Sequence, residues 1–348
     1  MLFSARRLLP LLLALVLGFG SGCRIGGPSR AAGHDQAAAA GPSARPGPGQ
    51  WVFRLAEAMP ADYPATIGDF EFARLVEERS RGRIKIMVTY GAKLGDETSV
   101  MEQVQFGGVE FARLNGAVLV YRPMSVLSLP YLFKDADHLW KVLYGPIGDE
   151  LLAGLAEKNL VGLTYYTSAA RSFYTKKPVR TVADMRGLRI RVQPSKLYMD
   201  LIRSLGAEPV PISFSEVYNA LLLGKVDGAE NNWASYYAGR HYQLAKYYIV
   251  DTHTRTPEVL MANKTAFERL SKADQALIRA AARDSVKKEW RASAAMEADL
   301  EAEVRRKGGI VIHLADAEKE KFKKAVEPLY LVHGREYKRL IERIRATE

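Results

Sequence analysis

The feature that most constrains the fold is a long stretch near the C-terminus without a helix-breaking residue. Residues 271–307 contain neither glycine nor proline, and Ser271 with Asp274 three residues later is typical of a helix start. A helix over this stretch would have about 35 residues and a length of roughly 50 Å at 1.5 Å per residue. Because a small domain is only about 30 Å across, the helix must span more than one domain or break.

Length and composition allow two such domains. The chain has 348 residues, of which 48% are hydrophobic and 26% charged, which is sufficient for two cores of ordinary size. The formal net charge is +11, but after residue 50 the basic residues are interspersed with acidic ones. No block of Lys and Arg is interleaved with aromatic residues, so nucleic-acid binding is not expected.

Residues 1–23 are typical of an export signal. Two arginines precede an apolar run over residues 8–19, which is too short to cross a membrane as a mature helix. Cys23, the only cysteine of the chain, follows small residues and resembles the lipidation site of a bacterial lipoprotein, although Gly20 stands where a leucine is usual. Lipidation of Cys23 is one interpretation, and cleavage of an ordinary signal near an incidental cysteine is the other.

The next segment is predicted to be a tether. Residues 24–50 are rich in Gly, Ala, Pro and Ser, a composition that cannot build a core and indicates disorder. A diacyl anchor on Cys23 would hold the folded part at a membrane surface through this segment. The fold is expected to begin near Trp51.

Residues 51–115 alternate between strand and helix patterns. Strands are predicted at 51–56, 83–89 and 109–114, with amphipathic helices between them. This order predicts an α/β domain with a largely parallel sheet. Since ligands of such sheets bind at the carboxyl ends of the strands, Glu57, Asn115 and the loop before and including Glu97 become candidates for a site. Further strand patterns lie at 160–166, 226–230, 247–250, 258–262 and 311–312.

A second candidate region is the strand that contains Arg191. Leu188, Ile190 and Val192 alternate with two arginines, so period two places the apolar side chains on one face and the arginines on the other. Pro194 lacks a backbone donor and ends regular pairing. Arg191 therefore lies near a strand terminus, where it could reach a ligand, remain a surface residue or pair with an internal carboxylate.

The chain after this strand predicts a capped helix and then a short strand. Ser213 and Glu216 fit a capping box, and Phe214, Val217, Leu221 and Leu222 would form the apolar face of the helix that follows. Asn231 and Asn232 come directly after the strand at 226–230. An asparagine amide both donates and accepts hydrogen bonds, so these residues fit either a polar ligand or a turn.

Catalytic and metal-binding signatures are missing from the sequence. There is no GxxxxGK[ST], HExxH, CxxC or GxSxG motif, and the six histidines form no pair at metal-ligand spacing. The sequence therefore offers no support for an enzyme or a metal site, and the resemblance described next implies a protein that is not an enzyme and needs no metal or cofactor.

Several phrases of the chain resemble one known family. Three of them are RGLRIRVQPS, LGAEPVPISFSEVYNALLLGKVDGAENNW and HYQLAKYY, and three earlier ones are GAKLGDE, LSLPYLF and AARSFYTKKPV. They are similar to the solute-binding subunits of tripartite ATP-independent periplasmic (TRAP) transporters of the DctP type. The likeness covers nearly all of the chain from Trp51 onward. It implies an α/β fold of the two-lobed periplasmic binding protein type (type II-like), with a long helix across both lobes and a ligand between them. We expect lobe I at 51–168 plus about 257–296, and lobe II at 169–256 plus about 297–348.

The resemblance also implies ligand-binding residues. The family arginine that forms a paired salt bridge with the ligand carboxylate matches Arg191, whereas Arg189 takes a neighbouring position that does not face the ligand. A second family arginine matches Arg171, and the asparagine of the family's DGQEN phrase matches Asn231 in DGAEN. A guanidinium forms two parallel hydrogen bonds with a carboxylate, a geometry that lysine cannot copy.

The form GAENNW, with the phrases after it, looks most like the branch of the family that binds sugar acids such as glucuronate and galacturonate. A polyol acid needs side chains that bind hydroxyl groups, and Asn232, Glu57, Gln193 and Asn115 are candidates for this role. Trp233 could stack on a sugar face or pack in the core.

The resemblance implies an extracytoplasmic binding protein that captures an organic acid, expected to be a uronate or related sugar acid. Its partners would be this small molecule and the membrane subunits of a TRAP permease, and the protein itself would be a monomer. It would lie in the periplasm, free or anchored through Cys23. The alternatives are a sensor that uses the same cleft, or a dicarboxylate or aromatic acid as the ligand.

Overall fold

The computed structural model describes residues 50–115, 120–166 and 169–348. The predicted export signal, Cys23 and nearly all of the predicted tether lie outside the described residues. In the part that is described, the strands are β1 (Trp51–Ala56), β2 (Ile84–Thr89), β3 (Phe111–Leu114), β4 (Leu160–Tyr166), β5 (Arg171–Thr175), β6 (Arg189–Val192), β7 (Glu208–Pro211), β8 (Gly228–Asn231), β9 (Tyr247–Thr254), β10 (Glu258–Asn263) and β11 (Ile310–His313).

These strands form two sheets, each parallel except for one strand. The first sheet has the order β2-β1-β3-β10-β4, and only β10 is antiparallel to its neighbours. The second has the order β11-β9-β5-β8-β6-β7, and only β5 is antiparallel. The prediction of a largely parallel sheet from residues 51–115 is confirmed. We call the parts of the chain around the first and second sheets lobe I and lobe II.

The two antiparallel strands, β5 and β10, each follow a passage of the chain between the sheets. The chain leaves the first sheet after β4 and enters the second at β5, and it returns between β9 and β10. A third connection is the helix Lys272–Arg306, which follows β10 and leads to β11. Three connections thus join the two lobes, and each lobe contains its own sheet.

The helix Lys272–Arg306, which we call the spanning helix, is unbroken over 35 residues, as predicted. The Ser271 hydroxyl accepts a hydrogen bond from the Asp274 amide at 3.1 Å, so the predicted start is confirmed as well. In lobe I the spanning helix packs against the helix Pro64–Arg79 and β4, and in lobe II against the helix Trp233–Ala238 and β11. The spanning helix is therefore long enough to contact both lobes.

The other helices surround the two sheets. They are Pro64–Arg79, Glu97–Phe106, Ala136–Leu143, Pro146–Gly154, Lys196–Ser204, Val217–Leu222, Trp233–Ala238, Lys264–Glu268, Asp316–Val326, Leu329–His333 and Lys338–Arg345. The last helices contact residues between β3 and β4: the Tyr330 hydroxyl donates to the Pro130 carbonyl at 2.8 Å, and His138 Nε2 lies 2.8 Å from the Ile344 carbonyl oxygen. The boundaries expected for the two lobes stay a prediction.

Two details of the predicted helices are wrong. Ser213 does not cap a helix with its side chain, because a short 3-10 turn, Phe214–Glu216, precedes the helix Val217–Leu222. Leu222 is exposed, whereas Val217 and Leu221 of the predicted apolar face are buried.

Gly68 permits close packing between two helices of lobe I. It lies in the helix Pro64–Arg79, where a Cβ atom would come within 2.8 Å of Glu289 Cβ on the spanning helix and 3.1 Å of the Tyr166 ring. Both neighbours are fully buried. An extra atom in a close-packed interior causes strain. The two helices can therefore approach this closely only because Gly68 has no side chain.

We expect the substitution Gly68→Ala to destabilise the protein. In an unconstrained helix the same change stabilises by up to about 1 kcal/mol, but overpacking here should lower the free energy of unfolding by about 1–3 kcal/mol. Urea denaturation measures the difference. Glu77→Ala, at an exposed position of the same helix, should change stability by less than about 0.5 kcal/mol. A higher urea midpoint for Gly68→Ala would contradict this account of the packing.

Candidate ligand-binding cleft

A cavity of about 270 Å³ lies between the lobes. One wall is the helix Glu97–Phe106 of lobe I, and the other is formed by the end of β6 and the turn after β7 in lobe II. Its lining residues are Glu97, Thr98, Met101, Glu102, Gln105, Val120, Arg191, Gln193, Pro194, Ser213 and Phe214. Of the eight ligand-binding residues predicted from the sequence, Arg191 and Gln193 line this cavity.

Arg191 contributes a buried positive charge to the cavity. Its strand, β6, is paired with β7 on one side and β8 on the other, and the residue is only 2% exposed. The side-chain Nε donates to the Ile212 carbonyl at 2.7 Å. Among the described residues, no carboxylate lies within 4.0 Å of the guanidinium. Burial lowers the pKa of Arg191, but an arginine keeps its charge in proteins, so this cation is suited to an anionic ligand.

Two buried amide groups, one in each lobe, have hydrogen-bonding capacity to spare. Gln193 Nε2 and Asn115 Oδ1 are buried, and neither has a hydrogen-bond partner within the part of the chain that the structure describes. Buried polar atoms are nearly always satisfied. The first is a donor and the second an acceptor, so together they suit a ligand with hydroxyl groups. Asn115 also lies next to the cavity wall, since its backbone amide is 3.4 Å from Glu97 Oε1.

The wall that faces Arg191 carries two carboxylates, of which the sequence indicated only Glu97, as part of a candidate loop. Glu97 and Glu102 both line the cavity, together with Thr98, Met101 and Gln105 of the same helix. The spacing of these five residues places them on one helix face, which is the sequence signal that could have identified them. The predicted loop at the end of β2 included Glu97 but not the helix face that follows.

Arg171 and Asn231 are brought together in lobe II. Arg171 Nε and Nη2 donate to the two carboxylate oxygens of Glu230 at 2.7 and 2.8 Å, and Nη1 donates to Asn231 Oδ1 at 2.9 Å. Burial opposes the charge of Glu230, but Arg171 and His253 outweigh it and lower the pKa of Glu230 to about 2. The same carboxylate raises the pKa of Arg171 despite its burial. The charge of Arg171 is thus balanced inside the protein.

The two asparagines after β8 also have partners within the protein. Asn231 Oδ1 accepts a second hydrogen bond from the Asn232 amide at 2.9 Å. Asn232 Oδ1 caps the helix Trp233–Ala238 by accepting from the Ser235 amide at 2.8 Å, and its Nδ2 lies 3.4 Å from the Tyr63 hydroxyl of lobe I. The ligand contacts expected for both residues stay predictions.

Glu57 belongs to a buried charge cluster in lobe I. It accepts from Arg113 Nε at 2.7 Å and contacts Nη2 of the same arginine, and it accepts from the Met59 amide at 2.5 Å. Glu258 lies 2.9 Å from Arg113 Nη1, and burial raises the pKa of Glu258 to about 7. Glu57 does not line the cavity, so its expected contact with ligand hydroxyls stays a prediction.

Trp233 packs inside lobe II. Its indole ring is stacked on Tyr248, with the centroids 3.6 Å apart and the planes at 18°. This is the packing arrangement that the sequence left open as an alternative. Trp233 does not line the cavity either, and stacking on a sugar stays a prediction.

His253 contacts Glu230, the partner of Arg171, and a second carboxylate. Its Nδ1 lies 2.9 Å from Asp251 Oδ2, its Nε2 lies 3.5 Å from Glu230 Oε2, and its ring is stacked on Phe173. Burial alone would lower the pKa of His253, but Asp251 and Glu230 outweigh it and raise the pKa to about 9. At neutral pH the imidazolium therefore balances a second charge within lobe II.

A ligand site between two lobes agrees with the family to which this chain is similar. Residues 55–336 match the model of the family described as bacterial extracellular solute-binding protein, family 7, also called DctP. A solute-binding protein of Chromohalobacter salexigens is 36% identical over 78% of this chain and 81% of its own length. A TRAP periplasmic solute-binding protein from Bradyrhizobium sp. BTAi1, in complex with D-galacturonate, has a TM-score of 0.82 and 40% identity over 85% of this chain and 99% of that chain.

A further solved structure supports the same class. The TRAP periplasmic solute-binding protein of Roseobacter denitrificans, with bound β-D-glucuronate, has a TM-score of 0.82 and 35% identity over 85% of this chain and all of that chain. The fold is thus the two-lobed fold of TRAP solute-binding proteins, and the chain belongs to the DctP family. The family resemblance and the fold class predicted from the sequence are confirmed. The family consists of binding proteins rather than enzymes.

Two further observations concern the described residues alone. None of their helices is sufficiently long and apolar to cross a membrane. No group of three or more of their His, Cys, Asp and Glu side chains has an arrangement that could hold a metal ion.

The charge on His253 should make stability depend on pH. Its pKa is about 6.5 in the unfolded chain and about 9 in the folded protein, so the stabilisation is complete below pH 6.5 and is lost as the pH rises through 9. Relative to His253→Gln, we expect the free energy of unfolding of the wild type to fall by up to about 3 kcal/mol over this window. Urea denaturation at several pH values measures it.

The matched control is His313→Gln, which removes an exposed histidine. It should leave the pH dependence of the wild type unchanged between pH 6.5 and 9. If His253→Gln shows the same slope as the wild type in this window, the imidazolium of His253 does not stabilise the fold.

Proposed function

We propose that this protein captures a sugar acid of the uronate class between its lobes and delivers it to the membrane subunits of a TRAP permease. The observation that carries the proposal is Arg191, a buried cation that lines the cavity and has no carboxylate partner among the described residues. A ligand carboxylate would supply the missing charge through two parallel hydrogen bonds. The galacturonate and glucuronate bound by two similar proteins contain such a carboxylate.

The cavity suits a small ligand. Its volume of about 270 Å³ lies near the lower end of the range for small-molecule sites. Gln193 Nε2 and Asn115 Oδ1 can bind hydroxyl groups that would otherwise lose their hydrogen bonds to water. An aromatic acid without hydroxyl groups would leave both amides unsatisfied, which costs about 1–3 kcal/mol for each group.

The charges of the opposite wall favour a monocarboxylate over a dicarboxylate. Glu97 and Glu102 line that wall, so the second carboxylate of a dicarboxylate would approach like charges. At 4 Å such a repulsion amounts to about 1–4 kcal/mol, depending on how much water is present. A sugar hydroxyl would instead donate a hydrogen bond to the same carboxylates. This difference supports a uronate rather than a dicarboxylate as the ligand.

The proposed location is the periplasm, where a protein with the export signal of residues 1–23 would reach the permease. Membership in the DctP family supports delivery to a TRAP permease. Lipidation of Cys23 would hold the protein at a membrane and raise its concentration near the permease. Mass spectrometry of the mature protein would test this, because a diacyl group on Cys23 adds a defined mass.

We expect Arg191→Ala to abolish the binding of D-galacturonate measured by calorimetry. Removing one partner of a buried charge pair costs about 2–5 kcal/mol, so the affinity should fall by at least about 30-fold. Arg189→Ala is the matched control, because Arg189 in the same strand is paired with Asp227 and does not line the cavity. Its affinity should equal that of the wild type. Unchanged affinity of Arg191→Ala would contradict the assignment of the site.

A second calorimetric experiment tests the ligand class. The wild type should bind D-galacturonate and D-glucuronate more tightly than succinate, and Glu97→Gln should reduce this preference by about tenfold because it removes one repelling charge. Glu77→Gln, which lies outside the cavity, should keep the preference of the wild type. If the wild type binds succinate more tightly than either uronate, the proposed ligand class is wrong.

A further inference from the structure

One of the hydrogen bonds between the two lobes involves Ser213, which lines the cavity. The Ser213 hydroxyl donates to Asp96 Oδ2 at 2.7 Å. Asp96 precedes the helix Glu97–Phe106 of lobe I, and Ser213 follows β7 of lobe II. Neither residue lies on a connection between the lobes, namely residues 166–171, residues 254–258 or the spanning helix. The bond can therefore exist only while the lobes are close, since a hydrogen bond is lost beyond about 3.5 Å.

Asp96 is held in a fixed orientation for this contact. Its other carboxylate oxygen, Oδ1, accepts from the Ser99 amide at 2.9 Å and caps the helix Glu97–Phe106. The bonds from Ser99 and Ser213 lower the pKa of Asp96, so the acceptor stays charged at neutral pH. Charge-assisted hydrogen bonds are roughly twice as strong as neutral ones. One carboxylate thus caps a helix in its own lobe and binds the opposite lobe.

Ser213 departs from its local sequence preference. The sequence predicts that its hydroxyl caps the following helix, yet no side-chain capping bond is made there. The hydroxyl proton is directed across the cleft to Asp96 instead. Natural sequences depart from local rules mainly at functional positions, so the departure suggests a role for the contact between the lobes.

We infer that Asp96 and Ser213 form a latch that prolongs the closed, ligand-bound conformation. The inference rests on the proposed function, because it needs a ligand that binds between the lobes. Asp96 is next to Glu97 in the chain, and Ser213 is next to Phe214; Ser213, Glu97 and Phe214 line the cavity. Closure therefore brings the ligand contacts and the latch together.

The latch should act on dissociation rather than on association. A bond made only in the closed conformation raises the population of that conformation and so the apparent affinity. The ligand enters while the lobes are apart, when the bond between Asp96 and Ser213 is absent. Loss of the latch should therefore leave the association rate constant unchanged and increase the dissociation rate constant.

The test is stopped-flow kinetics of D-galacturonate binding to the full chain. Ser213→Ala should increase the dissociation rate constant by about tenfold, the low end for a hydrogen bond to a charged group. Ser99→Ala is the matched control, because the Ser99 hydroxyl contacts the Asp96 backbone oxygen within lobe I and does not cross the cleft. Ser213→Thr keeps a hydroxyl and should restore slow dissociation. Equal dissociation from Ser213→Ala and the wild type would overturn the latch.

A second measurement is independent of the ligand. In a Cys23→Ser background, spin labels at Phe106→Cys and Leu223→Cys, two exposed positions in different lobes, report the distance between the lobes without ligand. Adding Ser213→Ala should shift the distances to larger values, and an unchanged distribution would overturn the latch. A wild type that binds no uronate would contradict the proposed function, whereas the distance measurement would still test the latch.

Discussion

The cleft depends on one buried charge that has no carboxylate partner in the described part of the chain. Three arginines are buried among the described residues, namely Arg113, Arg171 and Arg191. Arg113 is paired with Glu57, and Arg171 with Glu230, but Arg191 has no carboxylate within 4.0 Å in this part of the chain. Burying an unpaired charge costs several kcal/mol, and a ligand carboxylate is the group that would offset this cost. The expected contact of Arg171 with the ligand stays a prediction.

The fold places this charge in a cavity that is lined by both lobes. Each lobe has its own sheet, and three connections join them, the longest being the spanning helix Lys272–Arg306. Lobe II presents Arg191 and Gln193, whereas lobe I presents Glu97 and its helix face. A ligand with a carboxylate at one end and hydroxyl groups at the other can contact both walls. The contacts that select the ligand would thus also hold the two lobes closed.

The sequence was informative where a repeating pattern decides the structure. The bounds of β1 and β4 follow from local sequence pattern, and alternation correctly placed Arg191 near the end of a strand. The length of the spanning helix follows from its start signal at Ser271 and the absence of glycine and proline. Contacts between distant residues could not be predicted this way. The Arg171 and Glu230 pair joins residues 59 positions apart, and the Ser213 and Asp96 bond joins residues 117 positions apart. β7 contains two prolines. It was missed because proline is confined to sheet edges, so two prolines in four residues argue against a strand in the sequence.

The central claim is that Arg191 holds the carboxylate of a uronate. The most direct measurement is a crystal structure of the protein with D-galacturonate. The account predicts that both carboxylate oxygens of the sugar lie within about 3.2 Å of the Arg191 guanidinium nitrogens, with ring hydroxyls toward Glu97. A galacturonate carboxylate bound to another residue, while Arg191 remains without an anionic partner, would contradict it.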